Sequence, residues 1–96
     1  MPAVDTPTDP SRRAFDLDPR VAIRPEPFGA LAYHYGNRRL VFLKHPDVVR
    51  VVRELAGHDS LGATLDACGI APERHPSFER AVTALVDAEI LRDRPR

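Results

Sequence analysis

Scarcity defines much of this 96-residue sequence: one cysteine, no tryptophan, Lys44 alone among 14 basic residues, and no surplus of either charge. Cys68 by itself cannot close an internal disulfide, and it stands in none of the Cys/His spacings that hold zinc. It reads as a small core residue rather than a reactive thiol. His34, His45, His58 and His75 are scattered rather than clustered, so no metal site is expected. The five glycines fall singly, which excludes a loop that cradles phosphate. His58-Asp59-Ser60 has the residue types of a hydrolase, but three consecutive residues cannot converge on one reacting atom, and Ser60 serves as a helix cap. Neither enzyme activity nor a cofactor is expected. Acidic and basic residues balance at 14 each, so overall charge calls for neither nucleic acid nor an anionic membrane surface. No apolar run nears the ~18 residues of a membrane span or follows a basic start as a secretion signal would, and a cytoplasmic protein is the expectation.

What is present suffices for one small core. Residues 1–16 are polar and proline-rich, with Val4 and Phe15 the larger apolar groups, and predict a disordered tail. A domain over 17–92 and a charged end over 93–96 follow. Val21-Ala22-Ile23-Arg24 predicts a short strand that Pro25 and Pro27 end. Ala30 to Tyr35 and Arg38 to Leu43 flank Gly36-Asn37, which predicts a hairpin with a two-residue turn. That pairing sets Tyr35 against Arg38, Tyr33 against Leu40 and Leu31 against Phe42 on an aromatic face, with Ala32 against Val41, Ala30 against Leu43 and His34 against Arg39 on the other. Both faces are apolar, so both should be covered, and only helices remain to cover them. The first helix starts at Pro46 and stops at Gly57. The second runs from a Ser60 cap to Gly69. The third follows Pro76 with Ser77 as N-cap and carries the stripe Phe78, Ala81, Val82, Leu85, Val86. Ile90 and Leu91 close the core. The expected fold is α+β, a three-stranded antiparallel sheet followed by three helices (βββααα).

Two functions suit this order. A sheet with three helices raises the winged-helix DNA-binding regulators, yet Ser77 to Leu91 sets Glu79, Asp87 and Glu89 against Arg80, where phosphate demands the opposite sign. Alternatively the strand Arg38 to Leu43, unpaired on its outer side, is a docking edge to which an extended peptide adds as another strand, alternate side chains entering a groove beside the third helix. On spacing alone the edge could equally be covered by the N-terminal tail or by a second copy of the chain in a homodimer.

The stretch Val21-Ala22-Ile23-Arg24-Pro25-Glu26-Pro27-Phe28-Gly29-Ala30-Leu31-Ala32-Tyr33, with Leu40-Val41-Phe42-Leu43-Lys44 after the bend, strongly resembles the mycofactocin biosynthesis chaperones, which are PqqD-like RiPP recognition elements. The resemblance covers about Phe15 to Leu91. It implies a small winged helix-turn-helix domain without catalysis or cofactor that holds a ribosomally made precursor peptide and presents it to a radical S-adenosylmethionine maturase. It further implies that the leader peptide lies along the third strand and third helix, here Arg38, Arg39, Leu40, Val41, Phe42 and Leu43 with Phe78, Val82 and Leu85. Arg38, Arg39 and Lys44 would attract an acidic guest. Arg24, Pro25, Glu26 and Phe28 are candidates for maturase docking, the alternative being that Phe28 and Gly29 merely build the turn.

Overall fold

The computed structural model of the chain describes residues 9–94. Its strands are β1 (Phe15–Leu17), β2 (Val21–Glu26), β3 (Gly29–His34), β4 (Leu40–Leu43) and β5 (Leu91–Asp93), and its helices α1 (Pro46–Glu54), α2 (Leu61–Ala67) and α3 (His75–Asp87). Strands β2, β3 and β4 form an antiparallel sheet in that order, while β1 and β5 pair separately. The fold is thus mixed α and β with a three-stranded antiparallel sheet, three helices and a second, two-stranded sheet that the expected βββααα order did not contain.

Part of the expected tail is corrected by this second sheet. Residues 1–8 lie outside the described residues, but Pro10–Arg12 make a 3-10 turn and Phe15 is fully buried, its strand antiparallel to β5 with Leu17 opposite Leu91. The burial of one phenylalanine contributes about 2–3 kcal/mol, and ion pairs flank it: Arg13 to Asp93 at 2.6 Å and Arg94 to Asp16 at 3.1 Å. Asp93, expected in a charged end, is therefore part of the fold.

Strand β2 does not stop at Pro25. It continues to Glu26, with Pro25 opposite Ala30, because an edge strand tolerates a missing N–H. The register of β3 with β4 is the expected one, Leu31 opposite Phe42 and Tyr33 opposite Leu40. The turn is not. Arg38 N–H donates to the His34 carbonyl at 2.8 Å across a loop whose left-handed residue is Arg38, at φ 63°, rather than Gly36 or Asn37. The cause is His34: its buried Nδ1 accepts from the N–H groups of Gly36 at 2.9 Å and Asn37 at 3.0 Å, and winds the chain around the ring. A Cβ on Gly36 would lie 2.7 Å from that ring, so the glycine is needed for space.

The helices pack on one face of the sheet. Val21, Ala30, Ala32, His34 and Leu43 are buried there with Val51 and Val52 of α1, Leu61 and Leu65 of α2, and Phe78, Val82 and Leu85 of α3. Helix α1 is capped by His45, whose side chain accepts from Asp47 N–H at 3.2 Å, and α2 by Ser60 Oγ, which accepts from Ala63 N–H at 3.1 Å. Helix α3 starts three residues earlier than expected, out of a 3-10 turn at Pro72–Arg74. Pro76 occupies its first turn, and Ser77 donates to the Arg74 carbonyl at 3.0 Å instead of capping.

Candidate functional site

Strand β4 ends the sheet, and its outer side has no neighbour among the described strands. Since His34 N–H donates to the Arg39 carbonyl, alternation turns the backbone of residues 39, 41 and 43 toward β3 and the N–H and C=O groups of Leu40 and Phe42 outward. Beside this edge lies a cleft of about 300 Å³ lined by Val41, Phe42, Leu43, Lys44, His45, Val48, Ala81 and Leu85. An edge offering unpaired backbone groups next to an apolar cleft can accept an extended chain.

The residues singled out from the sequence fall in three places. Val41, Phe42, Leu43 and Leu85 line the cleft and Leu40 borders it, 51% exposed. Arg38 and Arg39 sit exposed in the loop rather than in the strand. Phe78 and Val82 are 4% and 1% exposed, core residues that take no part in the cleft wall. The helical period is the reason: α3 presents Ala81 and Leu85, one turn apart, to the cleft and turns Phe78 and Val82 inward. His45, Val48 and Ala81 are cleft residues that the sequence reading did not place there. Both Val48 and Ala81 had a signal: Val48 opens the apolar spacing of α1 beside the strand end, and Ala81 belongs to the apolar stripe of the third helix, one turn before Leu85.

The expectation of cover on both sheet faces is also corrected. Leu31, Tyr33, Leu40 and Phe42 face away from the helices, and the exposed large apolar groups of the described chain, Phe28, Tyr35, Leu40 and Phe42, belong to this sheet and its turns. The Phe28 ring lies 5.8 Å from Phe42, and Tyr33 meets Tyr35 edge-on at 4.8 Å. Arg24 stands opposite Leu31 on the same face, 3.7 Å from Glu26, and Lys44 borders a hollow shared with Phe28 and Phe42. Gly29 has a backbone reason of its own. At φ 149° it lies where a Cβ would come within 2.0 Å of the Leu43 carbonyl oxygen.

Behind the hairpin loop is a small electrostatic anchor. The Arg20 guanidinium, bonded to Asp18 at 3.2 Å, and the Arg20 backbone N–H at 2.8 Å hold the buried Asp18 carboxyl down to about 2. With Nδ1 of His34 accepting two N–H groups, its proton belongs on Nε2, which faces Asp18 at 3.8 Å, beyond hydrogen-bond reach. Tyr35 N–H donates to the Arg20 carbonyl at 2.8 Å, so this anchor also holds the start of the loop. Among the described residues no three His, Cys, Asp or Glu side chains gather as a metal-binding group, and no helix is long and apolar enough to cross a membrane.

No solved structure matches the chain. The Peptide chaperone MftB family matches residues 14–92, a span that opens one residue before the buried Phe15. A Peptide chaperone MftB of Mycolicibacterium smegmatis is 45% identical over 75 residues, 78% of this chain and 74% of that protein. Its counterpart in Mycobacterium ulcerans is 41% identical over 83 residues, 86% of this chain and 75% of the other, and that of Mycobacterium tuberculosis 46% over 72 residues, 70% and 65%. The matched span includes both strands of the hairpin and every residue lining the cleft, and the chain belongs to the Peptide chaperone MftB family.

Proposed function

We propose that the chain is a non-catalytic peptide chaperone of mycofactocin biosynthesis, which takes a ribosomally made precursor peptide as a fourth strand on the β4 edge and delivers it to a radical S-adenosylmethionine maturase. The carrying observation is the unpaired outer edge of Leu40 and Phe42 beside the apolar cleft. Guest N–H and C=O groups bond to those two residues, and alternate guest side chains enter between Val41, Leu43, Val48, Ala81 and Leu85. One or two apolar side chains fit a cleft of about 300 Å³, contributing about 2–6 kcal/mol before the cost of ordering the peptide. Arg38, Arg39 and Lys44 give an acidic guest its rate and register. The opposite edge is a poorer host, because β2 contains Pro25, which has no N–H to offer.

Helices α2 and α3, packed together across a turn with Gly69 left-handed, support reading the fold as a winged helix-turn-helix used for peptide rather than DNA. The surface after Ser77 carries Asp87 and Glu89 against Arg80, a poor match to phosphate. Arg24, Pro25, Glu26 and Phe28 serve the maturase, and both encounters take place in the cytoplasm. The test is amide hydrogen exchange with and without a precursor peptide of the mycofactocin system. Protection should rise at the Leu40 and Phe42 amides; protection confined to β2 or to α3 would overturn strand addition at this edge.

A further inference from the structure

We infer that the outer face of the sheet, extended by the guest strand, is a composite docking surface on which a folded protein partner reads chaperone and peptide together. The inference rests on strand addition at β4, and in that reading the partner is the maturase. Single exposed apolar residues are ordinary, but contiguous ones mark interfaces. Here the register makes them contiguous: Phe28 lies 5.8 Å from Phe42, Phe42 is opposite Leu31, Leu40 is opposite Tyr33, and Tyr33 touches Tyr35. Four of these are 45–67% exposed, while the other face of the same sheet is closed by the helices.

A strand added to β4 sends every second side chain to this outer face, beside Leu40 and Phe42. The surface met by a partner therefore differs with and without the guest. Three occupants compete for it, and the chemistry favours one. An extended peptide lying flat on the face would find the backbone of β3 already bonded on both sides, and its own N–H and C=O groups would go unmet. A second copy would set the cationic rim of Arg24, Arg38, Arg39 and Lys44 against itself, with Glu26 already beside Arg24 at 3.7 Å. A folded partner has its backbone groups satisfied internally and can offer an apolar patch bordered by carboxylates, which complements both the stripe and the rim.

The test uses the full chain, a mycofactocin precursor peptide and its radical S-adenosylmethionine maturase. The maturase should bind the peptide-saturated chaperone about tenfold more tightly than the free chaperone, and by linkage the peptide should gain the same factor from the maturase. Leu31→Thr with Tyr33→Thr keeps good strand residues on the central strand and changes no residue lining the cleft. Peptide affinity measured alone should stay within about twofold of the wild type, while maturase affinity falls at least tenfold. Phe28→Ser, in the exposed turn, repeats the experiment without touching a strand and guards against misfolding of the pair. Equal maturase affinity with and without peptide would overturn the composite surface. Unchanged maturase binding by both variants would overturn the face itself. A wild-type dimer that either variant dissolves would give the face to a second copy and overturn the proposal. Failure of the wild-type chain to bind the peptide at all would instead strike the strand-addition reading, and the composite with it.

Discussion

Replacing Gly29 by alanine tests whether this residue belongs to the backbone or to a docking surface. At φ 149° an alanine pays the strain of a region that side chains rarely adopt, about 1–3 kcal/mol. Its Cβ would also lie 2.0 Å from the Leu43 carbonyl oxygen, so the end of β4 must move by about 1 Å to restore contact distance, at a packing cost of about 1–3 kcal/mol. The sum is about 4 kcal/mol, against a whole-domain stability on the order of 5–14 kcal/mol for a chain of this size. Thermal unfolding followed by far-UV circular dichroism should show a midpoint about 16–32 °C below the wild type. Gly57→Ala is the control: nothing lies within 4 Å of its Cβ position, and the substitution should leave stability equal or raise it by up to about 1 kcal/mol. Because the displaced atoms belong to Leu43 and Lys44, the Gly29 variant should also lose peptide affinity. A Gly29→Ala protein that melts within about 3 °C of the wild type would refute the steric account and return the whole turn to recognition.

Arg39→Glu, exposed in the hairpin loop, should slow association with an acidic precursor peptide and flatten its salt dependence, whereas Arg53→Glu on α1 should do little; titrations giving equal losses would mean that net charge alone matters. Phe15→Ala should cost about 3–5 kcal/mol in urea unfolding, as loss of a fully buried aromatic does, whereas a residue in a disordered tail would cost nothing. Asp18→Asn should destabilise at neutral pH by about 1 kcal/mol, part of the ceiling of about 2 kcal/mol set by a carboxyl held at about 2 rather than 3.8, the discount reflecting the exposed Arg20 partner. A lowered folded-state value stabilises above the unfolded one, so the difference between Asp18→Asn and wild type should be complete above about pH 4 and fade toward pH 2; urea midpoints across that range that stay parallel would refute the linkage.

The elements legible in the sequence were those whose determinants are local. Alternation over Ala30 to Leu43 gave the β3 and β4 register, since slipping it by one residue would have moved every side chain to the other face. Pro46 and Ser60 marked helix starts because N1 and N-cap positions are chosen by the backbone alone. The misses depend on groups brought from elsewhere. The Gly36-Asn37 turn looked like a two-residue turn until the buried His34 ring supplied an acceptor for both N–H groups. Strands β1 and β5 have three residues each, too short for a period, and what identifies them is the pairing of Phe15 with Asp93 across the length of the domain.

The candidate site was half legible for a related reason. A period of two says which side chains share a face, and so it grouped Leu31, Tyr33, Leu40 and Phe42 correctly, but it does not say which face meets the helices. Side-chain volume does. Ala30 and Ala32 leave room for α1 to approach β3 closely, and α2 and α3 pack against α1 and each other, a layer that closes only one side of the sheet. The small face therefore takes the helices and the aromatic face is left to solvent. The same layer draws Phe78 and Val82 into the core, so the third helix contributes a shallow wall at Ala81 and Leu85 rather than large side chains. In the proposed strand-addition reading a guest in the cleft would be held chiefly by the backbone of Leu40 and Phe42, with specificity left to the few side chains that reach past Val41 and Val48. In the proposed reading such an edge tolerates many guest sequences, and discrimination beyond those few side chains would come from the charged loop at Arg38 and Arg39 or from the partner that sees the outer face.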